Sequence, residues 1–290
     1  MASRLALGTA QFGLSYGIAN HSGQVPHDEV KAILKLARSS GIDTLDTAIT
    51  YGESEQCLGS IGIDEQKVVT KIPSIPDNIK DVNLWVFDQM EASLSRLNTS
   101  SVYGLLLHHS DQLLGKNGKA LAQAMGELKS KGVVKKIGVS IYNPFELEDI
   151  INNYEIDLVQ APFNLIDRRI QTSGWLHKLK KEGIEVHTRS IFLQGLLLIP
   201  AIDFPEKFNS WLPLFNIWHE WLIDNNISAT QACMAFGLSH SEISRMIVGV
   251  ESKQQLNQLI DIEANPLFKS WPDIKCLDEN LINPSTWNKL

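Results

Sequence analysis

The chain has 290 residues, of which 43% are hydrophobic and 20% are charged, as in ordinary globular proteins and unlike disordered chains. Its formal net charge of -7 argues against a general affinity for nucleic acid or for an anionic membrane, because both require a basic surface. We therefore expect a small molecule as the partner of this protein.

Eight short apolar runs alternate with longer segments of helical periodicity, a pattern typical of repeated β/α units. We predict strands near Ala6 and at 44–47, 68–71, 103–107, 137–140, 158–161, 186–190 and 246–248. Helices are predicted at 28–39, 85–97, 119–131, 144–152, 175–182, 211–224 and 253–262. Repeated right-handed crossovers close such strands into a parallel α/β barrel, a (β/α)8 or TIM barrel, and an open doubly wound sheet is the alternative.

Glycines and prolines mark the ends of several elements. Gly41, Gly132 and Gly183 each follow a predicted helix, where a left-handed residue ends it. Three prolines predict a long irregular segment at 198–213. We expect one domain over 1–290, with the barrel core at about 5–262 and an extended C-terminal extension at 263–290.

The remaining bulk features concern compartment and assembly. The three cysteines have no paired spacing, so we expect neither a disulfide framework nor a metal site. The first ten residues do not resemble a signal peptide, and no apolar stretch is long enough to span a bilayer. These features predict a cytoplasmic protein, and a monomer by default.

Four polar residues follow predicted strands at the ends that converge on one rim of a parallel barrel: Asp46, Tyr51, Lys71 and His108. Singly, each has an ordinary structural interpretation, but together they suit carbonyl reduction. Tyr51 could protonate the carbonyl oxygen if a nearby ammonium, that of Lys71, lowers its pKa. Asp46 would keep Lys71 charged, and His108 would position the substrate oxygen.

Several motifs resemble, in consistent order, the signatures of the aldo-keto reductase superfamily, in particular a bacterial branch. They are GTAQFG at 8–13, GIDTLDTA at 41–48, YG at 51–52, VTK at 69–71, LLH at 106–108, KIGVS at 136–140, VQAPFN at 159–164 and QGLL at 194–197. The resemblance implies a metal-free oxidoreductase that uses NADP(H) or NAD(H) and reduces an aldehyde or ketone. It places the catalytic tetrad at Asp46, Tyr51, Lys71 and His108, with His109 of lesser importance.

The same resemblance implies a set of cofactor-binding residues. They are Gly8, Thr9, Ala10, Ser140, Gln160, Arg189, Ser190, Gly249, Glu251 and Gln255. Within this set, Ser140 and Gln160 would hydrogen-bond the nicotinamide carboxamide, and the helix N-terminus near Ser252 suits an anion.

Three departures from the family pattern bear on cofactor and substrate. Ile141 replaces an asparagine that contacts the carboxamide, and Arg189 stands where many members stack an aromatic ring on the nicotinamide. Glu251 and Gln255 stand where relatives that use NADPH have Arg or Lys, so we expect that NAD(H) is accepted, although Lys253 could still bind the 2'-phosphate.

The segment around Arg189 resembles a branch associated with sugar pathways, which favours a sugar-like carbonyl substrate. Two other functions stay open. One is a lyase or aldolase that uses Lys71 as a Schiff-base nucleophile. The other is a cofactor-binding regulatory barrel with little turnover, which Ile141 and Arg189 make conceivable.

Overall fold

Eight parallel strands, paired in chain order, close into a barrel in the computed structural model, which describes residues 3–20, 22–63, 65–267 and 270–290. The strands are β1 (Leu5–Gly8), β2 (Thr44–Asp46), β3 (Lys67–Ile72), β4 (Val102–Leu107), β5 (Val134–Ser140), β6 (Leu158–Pro162), β7 (Glu185–Arg189) and β8 (Arg245–Gly249). The barrel closes where Leu7 of β1 lies opposite Val248 of β8. All eight predicted strands and the (β/α)8 barrel are confirmed, and the open-sheet alternative is wrong.

Helices connect the strands and surround them. They are α1 (Ala10–Gly13), α2 (His27–Ser39), α3 (Ser54–Ile61), α4 (Val82–Leu97), α5 (Gly118–Ser130), α6 (Leu147–Asn153), α7 (Arg169–Thr172), α8 (Trp175–Lys181), α9 (Leu212–Asn225), α10 (Ala229–Leu238), α11 (Lys253–Ala264) and α12 (Glu279–Ile282). Short 3-10 turns lie at Ser110–Leu113, Pro144–Glu146, Leu193–Leu198, Ala201–Asp203, Glu206–Trp211 and Pro284–Lys289. The seven predicted helices are present, that at 144–152 beginning as a 3-10 turn, and the three helix-ending glycines have positive φ.

Five helices of the described residues were not predicted: the one-turn helices α1, α7 and α12, and the longer α3 and α10, which were missed for different reasons. Helix α10 is apolar nearly all round, and its residues 232–237 are buried, so it lacks the polar face that marks an amphipathic helix. Helix α3 is short and approaches α4 closely: a Cβ on its Gly59 would lie 2.1 Å from the carbonyl oxygen of Arg96. Gly59 allows this contact and also lowers the helical propensity of the segment.

Apolar side chains fill the middle of the barrel and leave its upper layer to polar groups. Val69, Leu106 and Leu158 form a small buried cluster of their own. Because side chains two residues apart on a strand share a face, Lys71 lies on the face of Val69, and Gln160 on that of Leu158. Both polar residues are fully buried and lie one step nearer the carboxyl ends of their strands.

The C-terminal segment packs onto the loop after β6 and does not stay extended. The Arg168 guanidinium donates to the carbonyl of Pro272 at 2.7 Å, and Arg169 forms an ion pair with Glu279. In addition to these two contacts, Leu281 of α12 and Trp287 of the final 3-10 turn are buried. The prediction of an extended segment is therefore wrong for this part, because its spaced apolar residues cover the barrel helices. Within the described residues, no helix has the length and apolar character needed to cross a membrane.

We expect Trp287→Ala to lower the free energy of unfolding by about 3–5 kcal/mol, because it empties a packed site. The indole is 4% exposed, lies edge-on to Phe208 with ring centroids 4.8 Å apart, and donates to the carbonyl of Leu281 at 3.0 Å. Urea unfolding followed by circular dichroism measures the change. Leu277→Ala, at a side chain that is 75% exposed in the same segment, is the control and should change stability by less than about 0.5 kcal/mol. Equal effects would show that the segment is not docked.

Candidate active site

A buried ion pair forms the centre of the candidate site. The Lys71 ammonium donates to Oδ2 of Asp46 at 2.8 Å and to the carbonyl of Thr47 at 2.8 Å. Lys71 ends the inward face of β3, and Asp46 ends the neighbouring β2, so the closure of the barrel brings them together. Neither side chain is more than 5% exposed. Each group of the pair therefore compensates the burial of the other, in a place that water barely reaches.

Tyr51 and His108 complete the predicted tetrad. The Lys71 Nζ lies 5.0 Å from the centroid of the Tyr51 ring. The ring of His108, which follows β4, meets the Tyr51 ring edge-on with centroids 5.9 Å apart. The structure thus brings all four predicted catalytic side chains into one cluster. His109 is set further back, with its ring stacked on Tyr142 at 6.2 Å.

The loop that carries Tyr51 is fixed by close backbone contacts. A Cβ on Gly13 would lie 2.0 Å from the Tyr51 carbonyl oxygen, and one on Gly52 would lie 2.3 Å from the Gly13 carbonyl oxygen. Gly52 also has a φ of 55°, which side chains other than glycine rarely adopt. The two glycines at this crossing let the backbone of α1 and that of the Tyr51 loop come into contact.

Sequence inspection missed the buried polar residues behind this loop. Ser54 Oγ donates to the carbonyl of Thr9 at 2.8 Å, and Thr9 Oγ1 donates to the carbonyl of Asp46 at 3.0 Å. One residue along, the Glu55 carboxylate accepts from Thr70 and Ser93 at 2.7 Å each. Neither Ser54 nor Glu55 stands at a strand end, so no pattern in the sequence marked them.

Gln160 contacts Asp46 directly. Its Nε2 donates to Oδ1 of Asp46 at 2.6 Å, which occupies the carboxylate oxygen that Lys71 leaves free. Ser140 Oγ lies 3.5 Å from Oε1 of Gln160, and both residues are buried. Their predicted contact with a carboxamide stays a prediction, whereas the bond from Gln160 to Asp46 was not foreseen.

Burial governs the ionisation of the tetrad. It raises the pKa of the Tyr51 phenol, the Asp46 carboxylate raises it further, and Arg189 opposes this. The net lowering of the Tyr51 pKa that the sequence predicted is therefore wrong for this structure, because burial and Asp46 outweigh the opposing positive charge. Burial, followed by the charge of Lys71, lowers the pKa of His108 to about 3, so this imidazole is neutral at physiological pH. Burial also lowers the pKa of Lys71, which Asp46 opposes.

A cleft of about 350 Å³ extends from Tyr51 along the carboxyl end of the barrel to α11. Most of the predicted cofactor residues line it, namely Gly8, Thr9, Ala10, Arg189, Ser190, Gly249, Glu251 and Gln255. Gly8 and Gly249 lie opposite each other on β1 and β8, so neither strand contributes a side chain of its own there. A Cβ on Gly249 would lie 2.6 Å from the Gln11 side chain. The length of this cleft, with the N-terminus of α11 at its far end, fits an elongated, phosphate-bearing ligand such as a dinucleotide.

Two loops that line the cleft are joined to each other. Gln194 Nε2 donates to the Tyr16 hydroxyl at 3.0 Å, and the Ile18 amide donates to the carbonyl of Gln194 at 3.1 Å. Leu193 and Gln194 both have positive φ, with values of 48° and 53°. Such strain persists where the surroundings determine the conformation. Gln194 belongs to the QGLL motif of the family resemblance, whereas its bond to Tyr16 was not predicted, since the two residues are 178 positions apart.

The far end of the cleft carries carboxylates. Ser252 caps α11 through its Oγ, and Gln255 Oε1 accepts from the amide of Glu251 at 2.8 Å. The carboxylate of Glu29, from α2, accepts from the amide of Lys253 at 2.6 Å. One donor of the helix N-terminus is therefore already bound to an anionic side chain of the protein. The sequence did not indicate this contact between α2 and α11.

Arg189 ends β7 at the edge of the cleft, and its contacts are with neutral groups. Nη2 donates to the carbonyl of Ile141 at 3.1 Å, Nη1 lies 3.3 Å from Ser190 Oγ, and the guanidinium lies 4.6 Å from the Tyr142 ring centroid. Ile141, which replaces the family asparagine, is thus a buried residue. Its carbonyl holds Arg189, the residue that replaces the family aromatic ring.

Comparisons with known proteins find relatives in sequence and in fold. The chain is 24% identical to the uncharacterized oxidoreductase YqkF of Bacillus subtilis, over 94% of this chain and 95% of the relative. It is 26% identical to the NADH-specific methylglyoxal reductase of Escherichia coli, over 67% of this chain and 65% of the relative. The solved holo form of the aldo-keto reductase AKR11C1 from Bacillus halodurans has a TM-score of 0.72 at 20% identity, covering 92% of this chain and 89% of that one.

The sequence model of the Aldo/keto reductase family matches residues 4–276, nearly the whole chain. This protein therefore belongs to the aldo-keto reductase family, whose members are oxidoreductases that generally reduce carbonyl compounds with NAD(P)H.

Proposed function

We propose that this protein reduces an aldehyde or ketone to an alcohol with NADH or NADPH, and that Tyr51 is the general acid. The observation that carries the proposal is the placement of Tyr51 and His108 beside the buried ion pair of Lys71 and Asp46, at one end of an elongated cleft. A phenol placed beside an ion pair and a neutral imidazole can donate a proton where negative charge develops on oxygen.

The bound nicotinamide would supply the hydride, and the chain's own residues do the rest. The residues that would hold the cofactor are those given by the family resemblance, from Gly8 to Gln255. Because its pKa is raised, Tyr51 keeps its proton at neutral pH and has it available for the carbonyl oxygen. His108 is neutral, and Thr50 Oγ1 lies 3.3 Å from its Nδ1. With Nδ1 as the acceptor, the Nε2–H is free to donate to the same oxygen.

Lys71 and Asp46 set the electrostatics around the phenol. When the proton leaves Tyr51, a phenolate forms. The Lys71 ammonium, 5.0 Å from the ring centroid, stabilises this phenolate. Asp46 keeps that ammonium charged, and Gln160 together with Lys71 fixes both oxygens of the Asp46 carboxylate. Gln160 is thus a positioning residue for the ion pair.

The proposal is tested by following cofactor oxidation at 340 nm with a panel of neutral, sugar-like and acidic aldehydes and ketones. Turnover that depends on Tyr51 supports it. Binding of NADH or NADPH without turnover of any carbonyl would instead favour the regulatory barrel. Borohydride trapping of a substrate on Lys71, detected by mass spectrometry, would favour the Schiff-base lyase.

We expect NADH to bind at least about tenfold more tightly than NADPH, a difference of about 1.4 kcal/mol. Glu251 stands where the family resemblance places the 2'-phosphate, and Glu29 already occupies an amide of the α11 N-terminus. Carboxylates beside a phosphate repel it. A methylglyoxal reductase among the relatives is NADH-specific, which agrees with this expectation.

Fluorescence titration with both cofactors measures this preference. Glu251→Arg should bring the two dissociation constants closer, because it replaces repulsion with an ion pair. Glu148→Arg makes the same charge change on exposed α6 and is the control. NADPH binding as tight as NADH in the wild type would contradict the prediction.

A further inference from the structure

The Arg189 guanidinium is a second cation at the reaction centre. Lys71 is matched by Asp46, whereas the contacts of Arg189 described above are with a carbonyl, a hydroxyl and an aromatic ring. Arg189 lines the same cleft as Tyr51 and Asp46, so its guanidinium and the tetrad share one cavity. Around Tyr51 the positive charges therefore exceed the negative, in a chain whose formal net charge is -7.

The backbone holds Arg189 firmly in this place. The next residue, Ser190, has a φ of 61°, and its carbonyl accepts from Asn164 Nδ2 at 3.0 Å. The carbonyl of Arg189 itself accepts from the amide of Phe163 at 3.0 Å. A strained residue persists only where its neighbours determine its conformation, and such strain is frequent at ligand sites. The orientation of the guanidinium is thus part of the built site.

Reduction of a neutral carbonyl does not require this second cation. The developing charge on the carbonyl oxygen is met by Tyr51 and His108, and the phenolate by Lys71. A partly buried cation without an opposite charge is unfavourable, and an anionic group brought by a ligand removes that cost. A guanidinium presents paired donors that match the oxygens of a carboxylate or a phosphate.

Building on the proposed function, we propose that the substrate is an aldehyde or ketone that also carries a carboxylate or phosphate group, and that Arg189 binds this anionic group. The carbonyl then lies beside Tyr51, with the anionic group at the end of β7. The rival role for Arg189, stacking on the nicotinamide, predicts equal effects on all substrates.

Matched substrate pairs test the proposal in steady-state assays with NADH. Succinic semialdehyde and butanal differ in a carboxylate, and glyceraldehyde 3-phosphate and glyceraldehyde differ in a phosphate. We expect kcat/KM for one anionic member to exceed that for its neutral partner by about 10- to 100-fold, the range of a charge-assisted hydrogen-bonded pair. Arg189→Gln should remove this ratio, mainly through KM, and Arg189→Lys should restore part of it.

Two further measurements make the outcome unambiguous. Arg38→Gln removes the same charge from the outer helix α2 and should leave the ratio unchanged, which excludes long-range attraction. Arg189→Tyr keeps a flat ring without charge, so it should not restore the ratio. An equal loss for both members of each pair, or no anionic preference in the wild type, would overturn the proposal.

A binding experiment separates this inference from the proposed function. Succinate and inorganic phosphate carry the anionic groups without a reducible carbonyl, and each is titrated into the protein with bound NAD+ under fluorescence detection. We expect one of them to bind and Arg189→Gln to weaken that binding about 10-fold or more. Unchanged binding in Arg189→Gln, or none in the wild type, overturns the inference. Absence of turnover with every carbonyl, alongside Arg189-dependent binding, overturns only the proposed reduction.

Discussion

Tyr51→Phe is expected to lower kcat for carbonyl reduction by about 100- to 10,000-fold, the range that a positioned general acid contributes. The substitution removes one hydroxyl from a ring that is held between Lys71 and His108, so the shape of the site is kept. The dissociation constant for NADH should change little, because the cleft floor and the α11 end stay intact. Single-turnover assays at 340 nm, together with fluorescence titration of NADH, measure both quantities.

The matched control is Tyr154→Phe. Its hydroxyl donates to the carbonyl of Leu113 at 2.7 Å, outside the residues that line the cleft. This variant should lose about 1 kcal/mol of stability from the hydrogen bond and keep kcat within about twofold. If both variants kept full turnover, Tyr51 would not be the proton donor, and His108 would be the next group to test.

Lys71→Met is expected to lower the free energy of unfolding by about 3–5 kcal/mol, because it leaves the buried Asp46 carboxylate without its cation. Asp46→Asn likewise leaves the buried Lys71 ammonium without its carboxylate partner. The double variant should be more stable than the sum of the single losses predicts, with a coupling energy of about 1–3 kcal/mol. Urea unfolding of all four proteins completes the cycle. Activity should stay at least about 100-fold reduced in every variant, since the double variant restores packing without restoring charge.

The exposed pair of Lys178 and Glu148 provides the comparison. Their side chains are 41% and 62% exposed and 3.3 Å apart, so the same cycle there should give a coupling below about 1 kcal/mol. A coupling at Asp46 and Lys71 as small as this would mean that the buried pair is not a strong interaction. Recovery of activity in the double variant would mean that its charges are not needed for catalysis.

Some features of the fold and site followed from the chain alone. Each strand is a short apolar run, and three helices end at a glycine, so local periodicity and turn chemistry determine the order of the elements. That order predicts a parallel barrel, and the carboxyl ends of its strands carry Asp46, Lys71 and His108. Tyr51 could be added because it stands in the loop after β2.

Other features depend on which groups meet when the barrel closes. Gln160 reaches Asp46 across 114 positions, and Gln194 reaches Tyr16 across 178. Periodicity reports which face of an element is buried, and it carries no information on the partner that the face finds. For the same reason, the sequence predicted that Lys71 would lower the pKa of Tyr51, whereas burial and the Asp46 carboxylate raise it. Solvent exclusion is a property of the assembled barrel, and only the tertiary structure decides it.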